Sequence, residues 1–271
     1  MKRVFTFGCS HVNYHYPTWA DLLIKNYASQ GIDGYNCGRI GSGNQLISYR
    51  ICEANVTQSF NKDDLILISW TNFFRDDRYH TGQGWHTPGN IFNNRTDFPL
   101  TLNNYTYRDG TQWFDLLYYL QRDCLTITNV VNSIKSTGAK VITTHMLDPY
   151  LDDYLLELPQ VKDVLEMYKP WVQGDIKSIM THCWYEGVGE DESRPKYRNT
   201  MDPNTDIIED HPLPLEHLDY LENVISPYLD IDVNNETKEY ARYWQNRLYE
   251  NNHGFYPLED WHTKELEWTF G

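Results

Sequence analysis

Basic residues are scarce in this chain. Its 271 residues carry 23 Lys and Arg against 38 Asp and Glu, a formal charge of −15 at pH 7. A surface so acidic repels phosphate backbones, which excludes general nucleic-acid binding as the expected role and leaves solubility as its ordinary consequence. Long hydrophobic runs are also missing, so no membrane-spanning helix is expected. The opening MKRVFTFGCS has a basic pair but too short an apolar run for a secretory signal. The five cysteines, at 9, 37, 52, 124 and 183, form no CxxC pair, so neither a zinc site nor a disulfide framework is expected. His11 and His15 are four apart, but no HExxH glutamate lies between them and Pro17 follows closely. A Walker ending is absent and the glycines do not fit GxGxxG. No metal and no cofactor are expected.

What is present is an alternation. RVFTFG, GYNCGRIG, DDLILISW and AKVITTHM read as short strands, the third a continuous apolar run suited to burial on both faces. Between and after them, PTWADLLIKNYASQG, NQLISYRICEANVTQSF, FDLLYYLQRDCLTITNVVNSIKSTG, PQVKDVLEMYKPWVQGDIKSIM and LPLEHLDYLENVI read as helices. Strands alternating with helices predict a parallel sheet covered on both sides, with the ligand site at the carboxyl ends of the strands. Ser10, the run Gly41-Ser42-Gly43-Asn44 and Asn72 each follow a predicted strand, and His145 ends another. Two segments fall outside the alternation. Residues 76–112 form a long excursion rich in Asn, Gly and aromatics. Residues 229–271 read as a helix and an aromatic tail. The expected division is therefore an α/β domain over 1–228, with 76–112 as an insertion or lid, and a tail over 229–271 that packs on the domain or on a neighbour.

Four short blocks in this order resemble the SGNH (GDSL-like) hydrolase superfamily over residues 3–226: Gly8-Cys9-Ser10, YNCGRIGSGN, SWTN and EDHP. The resemblance implies a flavodoxin-like three-layer α/β/α sandwich and an ester hydrolase. It makes Ser10 the nucleophile and His211 the base. It places the Ser10 and Gly41 amides and Asn72 at the oxyanion, with Asn44 as a second candidate donor. The chain departs from the pattern at several positions. Cys9 stands where the superfamily has Asp, Trp70 and Phe73 stand for Gly and Asp, and Ile208 occupies the place of the acid three residues before the His. Glu209 or Asp210 would then orient His211, or Ser10 and His211 would act as a dyad. Arg75, Trp70, His11 and Trp85 are the expected substrate contacts.

Alternatives stand beside this reading. Alone, Ser10 would be a helix cap. The aromatics of the excursion, Tyr79, Trp85, Phe92, Tyr105, Tyr107 and Trp113, suit the faces of sugar rings, or form the lid's own core or a subunit contact. The resemblance implies removal of small acyl groups, O-acetyl above all, from a carbohydrate; acyl transfer would use the same residues. The rival class is a non-catalytic protein on this scaffold, of a kind met in bacteriophages: a virion component or a sugar-binding module, assembling as a homo-oligomer or into a virion through its aromatic tail. The matching locations are the cytoplasm or the virion.

Overall fold

The structure, a computed structural model, describes residues 1–73, 75–87, 116–151, 156, 159–185, 194–198, 206–209, 211–250, 266 and 268. Four strands make one parallel sheet: β1 (Arg3–Phe7), β2 (Asp33–Asn36), β3 (Asp64–Trp70) and β6 (Lys140–His145), in the order β2-β1-β3-β6. β3 lies between β1 and β6, and every one of its residues is buried. Period-two alternation divides the strands between two cores. Phe5, Phe7, Ile66, Ile68 and Trp70 face α2 (Asn44–Gln58), α3 (Leu116–Lys135) and α4 (Pro159–Val172). Val4, Leu65, Leu67 and Ile142 face α1 (Trp19–Ala28), α5 (Ile179–Tyr185) and α6 (Pro214–Tyr220). Each such aliphatic or Phe side chain contributes about 1.5–3 kcal/mol by leaving water, which is why the apolar run DLILISW lies inside the sheet. The result is the three-layer α/β arrangement that the alternation predicts.

Helix starts are fixed by side chains. Asp21 accepts the Thr18 backbone N–H at 2.9 Å, which closes the first turn of α1. Glu216 does the same for α6 by accepting the Leu213 N–H at 2.6 Å, with Pro214 in the first turn. α2 borrows its cap from a distant loop: the two oxygens of Asp77 take the N–H groups of Gly43 at 2.9 Å and Leu46 at 2.8 Å. After α6 the chain passes through a π-helical turn (Leu221–Ile225) into α7 (Ser226–Leu229). α8 (Asn235–Glu250) then returns over α1, where Lys25 pairs with Glu236 at 2.6 Å. Trp244 and Leu248 of α8 bury against Tyr16 and Leu213.

The described start of the excursion, residues 76–87, carries strands that its sequence pattern does not signal. Two antiparallel strands, β4 (Arg78–His80) and β5 (Gly84–His86), form a hairpin within it. A second hairpin, β7 (Lys196–Arg198) with β8 (Asp206–Ile208), precedes the His211 loop and carries no clear strand signal in sequence. Residues 88–112, with Phe92, Tyr105 and Tyr107, lie outside the described residues, as do Trp113 and most of the tail beyond 250. Of the tail, Leu266 joins the core that α2, α3 and α4 cover, and Trp268 lies under the Arg50 guanidinium at 4.5 Å. Among the described residues no helix is long and apolar enough to cross a membrane.

Candidate active site

Ser10 sits one turn beyond β1, where the chain must leave the sheet abruptly. Gly8 permits that exit: a β-carbon there would lie 2.3 Å from Val12 Cγ2 and 2.9 Å from the Ser69 carbonyl oxygen. The Cys9 carbonyl accepts the N–H groups of Val12 and Asn13 at 3.0 and 3.1 Å, which winds the turn around Ser10. The Val12 carbonyl is held in turn by Asn36 Nδ2 at 2.7 Å and the Thr18 hydroxyl at 2.5 Å. Asn36, through Nδ2, and Thr18, through its backbone N–H, are themselves fixed by the buried Asp21 carboxylate.

Hydrogen bonds stitch the loops beyond the strands together. The Arg39 N–H reaches the Gly8 carbonyl at 3.0 Å, and Asn13 Nδ2 the Gly38 carbonyl at 3.1 Å. Asn44 joins the second loop to the third: its Oδ1 accepts the Thr71 N–H at 3.0 Å, and its Nδ2 donates to the Thr71 carbonyl at 3.2 Å and to Asp123 at 2.9 Å. With its amide hydrogens so placed, Asn44 is a brace between loops, and the expectation of an oxyanion donor there is corrected. Arg75 likewise braces the second loop, donating from Nη1 to the Ser42 carbonyl at 2.9 Å. Gly41 adopts a left-handed φ of +78°, and a β-carbon there would come within 3.2 Å of Thr87 Oγ1, so the end of the β4–β5 hairpin closes over this loop. Asn72 is half-buried in the loop directly after β3.

Ser10 and His211 meet. Ser10 Oγ lies 3.0 Å from His211 Nε2, and His211 Nδ1 lies 3.0 Å from Glu209 Oε1. Glu209 is fully buried. A carboxylate can only accept at this contact, so it fixes the imidazole proton on Nδ1 and leaves Nε2 free to accept from the Ser10 hydroxyl. Glu209 is therefore the carboxylate in contact with the imidazole where Ile208 stands in the acid's expected place; Asp210, the other candidate, lies outside the described residues. The Tyr14 hydroxyl is 3.4 Å from both Glu209 oxygens, and its ring stacks on the His211 imidazole at 4.1 Å between centroids. Arg194 clamps the loop from the other side. Its Nε donates to the Glu209 carbonyl at 2.8 Å, one Nη to the His211 carbonyl at 2.5 Å, and the guanidinium pairs with Glu216 at 2.6 Å.

Other candidates take different places. Trp70 is corrected as a substrate contact: its side chain lies wholly within the core, on the face shared with Ile66 and Ile68, and its indole N–H has no acceptor among the described residues. His11 lies beside the site, its ring 5.2 Å from that of His211, but it is buried against sulfur, with Nε2 3.1 Å from Met180 Sδ and Nδ1 3.7 Å from Cys9 Sγ. Burial, helped by the His211 and His217 rings, holds its pKa well below the usual histidine range. Burial likewise takes His217 down to about 3, so both rings are neutral near pH 7. Cys9 points into the core toward Met146 Sδ at 3.7 Å, away from the position of a nucleophile. His145 is buried and bonded to the Val172 carbonyl. Trp85 stands on β5 between Tyr49 and Tyr79, at 5.2 and 5.7 Å between ring centroids. Among the described residues no group of three or more His, Cys, Asp or Glu side chains is placed to hold a metal ion.

Tyr14 and Arg194 escape the sequence reading. The text HVNYHYP signals a turn and says nothing of which ring meets His211, and Arg194 falls in a stretch without periodicity.

No family model matches the chain, and no curated protein matches it. Solved structures similar to it include the crystal structure of TesA, at 16% identity over 84% of this chain and 98% of that one, with a TM-score of 0.43. A GDSL-like lipase from Bacteroides thetaiotaomicron is 14% identical, with 63% of each chain covered and a TM-score of 0.32, so the chain spans just under two thirds of that protein. A catalytic mutant of Axe2, an acetylxylan esterase from Geobacillus stearothermophilus, is 12% identical over 62% of this chain and 72% of that one, with a TM-score of 0.36. Likenesses this distant decide nothing about the reaction, which rests on the side chains of this chain.

Proposed function

We propose that this chain is a serine ester hydrolase of the SGNH type. The observation that carries the reading is the continuous hydrogen-bonded line Ser10–His211–Glu209, with both contacts at 3.0 Å. Ser10 Oγ attacks the ester carbonyl carbon while His211 Nε2 takes its proton. The imidazolium so formed keeps its Nδ1–H on the buried Glu209 carboxylate, which offsets the new charge. The backbone N–H groups of Ser10 and Gly41, with the Asn72 side chain, receive the oxyanion. Collapse of the tetrahedral intermediate breaks the bond to the alcohol, which leaves with the proton from His211. Water then repeats the sequence on the acyl-serine and releases the acid. General base catalysis of this kind contributes about 10²- to 10⁴-fold.

The substrate in this reading is a small acyl ester, O-acetyl first, on a carbohydrate. Supporting it, the half-buried Trp85 and Tyr79 lie on the hairpin whose end, at Thr87, meets Gly41, and Tyr49 of α2 meets the Trp85 ring. An aromatic face close to the oxyanion loop suits a sugar ring. Arg39, which reaches the Trp85 carbonyl at 3.5 Å, and Arg75 supply positive charge nearby.

The test is hydrolysis of p-nitrophenyl acetate together with labelling by a fluorophosphonate serine probe. Wild type should turn over and be labelled at Ser10, and Ser10→Ala should lose both. A Ser10→Ala variant as fast as wild type overturns the reading, and an unlabelled Ser10 in an inactive wild type favours a non-catalytic sugar-binding or virion protein. For the substrate, Trp85→Ala should raise KM on an acetylated oligosaccharide and leave p-nitrophenyl acetate unchanged.

A further inference from the structure

The aromatic residue that touches both partners of the Ser10 relay is Tyr14. Its ring lies nearly parallel to the His211 imidazole, at an interplanar angle of 22° and a centroid distance of 4.1 Å. Its hydroxyl points at the carboxylate of Glu209, 3.4 Å from each oxygen. One side chain thus covers the face of the base and the far side of the acid. Tyr14 is positioned from below as well: its ring meets Tyr16 edge-on at 5.0 Å, and Tyr16 is wholly buried, with its hydroxyl 3.5 Å from the His211 carbonyl.

This contact answers a need specific to this chain. Glu209 and His211 are separated by a single residue, so the carboxylate approaches the ring from within its own loop. A ring held only by Nδ1 and Nε2 can still tilt about the line that joins them. A parallel aromatic face removes that freedom. It also meets the imidazolium, when it forms, with the negative face of a π-system.

We propose that Tyr14 is a positioning residue for the Ser10–His211–Glu209 relay, its ring holding the imidazole plane toward Ser10 and its hydroxyl holding the Glu209 carboxylate toward Nδ1. The inference rests on the esterase reading for its link to turnover, but the geometry of the pair stands apart from it. The two contacts act on His211 in opposite senses. The hydroxyl draws charge from the carboxylate and so weakens its hold on the imidazolium. The ring face stabilises the imidazolium. Other groups act on His211 as well: the neutral His11 ring at 5.2 Å, His15 and His217 through space, Ser10 Oγ, and the Arg194 guanidinium at its carbonyl oxygen. Of these, His15 also meets the Tyr14 ring, at 4.8 Å between centroids, so its own titration is followed beside that of His211 in each variant.

The experiment compares wild type, Tyr14→Phe and Tyr14→Leu by two readouts. The first is the NMR titration of the His211 ring, which needs no turnover. Phe keeps the ring and drops the hydroxyl, so the titration should move to higher pH than in wild type. Leu drops the ring as well, so its titration should lie at lower pH than that of Phe. The second is the pH profile of kcat/KM on p-nitrophenyl acetate. Its acid limb should move in the same order, and its plateau should fall about two- to fivefold from Phe to Leu, the size of an exposed-to-partly-buried ring contact with a cation. Unchanged kcat with altered KM, or one common titration curve for all three proteins, overturns the proposal. A protein that shows the ordered titrations but no turnover in any form keeps the positioning contact and removes the esterase reading instead.

Discussion

Glu209 takes two hydrogen bonds from His211 on one oxygen, from the backbone N–H at 2.9 Å and from the ring at 3.0 Å. The bond to the backbone N–H turns the Glu209 side chain toward the residue two places on, and that is what lets an acid so near in sequence reach the ring.

The first prediction tests this contact. Glu209→Gln keeps the shape but allows the amide to donate to Nδ1, which favours the wrong tautomer at Nε2. The expected loss in kcat on p-nitrophenyl acetate is about 10³- to 10⁴-fold, with an unchanged near-ultraviolet circular dichroism spectrum. A loss below tenfold would mean that Ser10 and His211 work without the acid.

Arg194 holds Glu209 and His211 by their carbonyls and pairs with Glu216. Arg194→Met leaves the Glu216 carboxylate without this partner in a largely buried setting, at a cost of about 3–5 kcal/mol in urea unfolding. Lys restores the charge but not the fork, so Arg194→Lys should regain part of the stability and little of the kcat.

Gly8 tests how tightly the Ser10 turn is built. Gly8→Ala drives a methyl group into Val12 and into the Ser69 carbonyl, and should destabilise by about 1–3 kcal/mol while lowering kcat. Adding Val12→Ala relieves the side-chain clash only. The Ser69 carbonyl is backbone and cannot step aside, so the double variant should recover less than half of the loss. Full recovery would show that the turn is looser than its contacts imply.

Asp77 gives a pH signature. Burial pushes its carboxyl up to about 6, with Gly43 and Leu46 pulling the other way through their N–H groups. An unfolded carboxyl titrates near 4. Between about pH 4 and about pH 6 the folded chain therefore keeps a proton that the unfolded chain has released, and stability falls as pH rises through that window. The fall is on the order of 2–3 kcal/mol. Asp77→Asn cannot titrate, so the stability difference between wild type and variant should be flat below the window, slope through it and flatten above. A difference that is constant with pH would place the titration elsewhere.

The sheet was readable because strands buried on both faces must be apolar throughout, as in DLILISW, and because its connections are helices with a regular period. Ser10 and His211 were singled out by the order of four short blocks rather than by either position alone, and the fold brings the two side chains within 3.0 Å. The acid was narrowed to Glu209 or Asp210 and no further, because residue spacing does not give the path of a loop; the contact with the ring is made by Glu209. Asn44 misled for a similar reason. Its role depends on Asp123, 79 residues away in sequence, which claims its amide. Trp70 was readable and misread: it continues the two-residue period of Ile66 and Ile68, which points it into the core with them.

The Ser10–His211 hydrogen bond spans 201 residues, whereas the Glu209–His211 bond spans two. The acid and base are a local unit that can form as soon as their loop closes. The nucleophile joins them only when the first strand and the α6 end of the chain have docked, after the largest loop-closure entropy in the site has been overcome. Recovery of activity during refolding should therefore follow the slowest phase of assembly, and turnover becomes a clock for the closing of the chain's two ends.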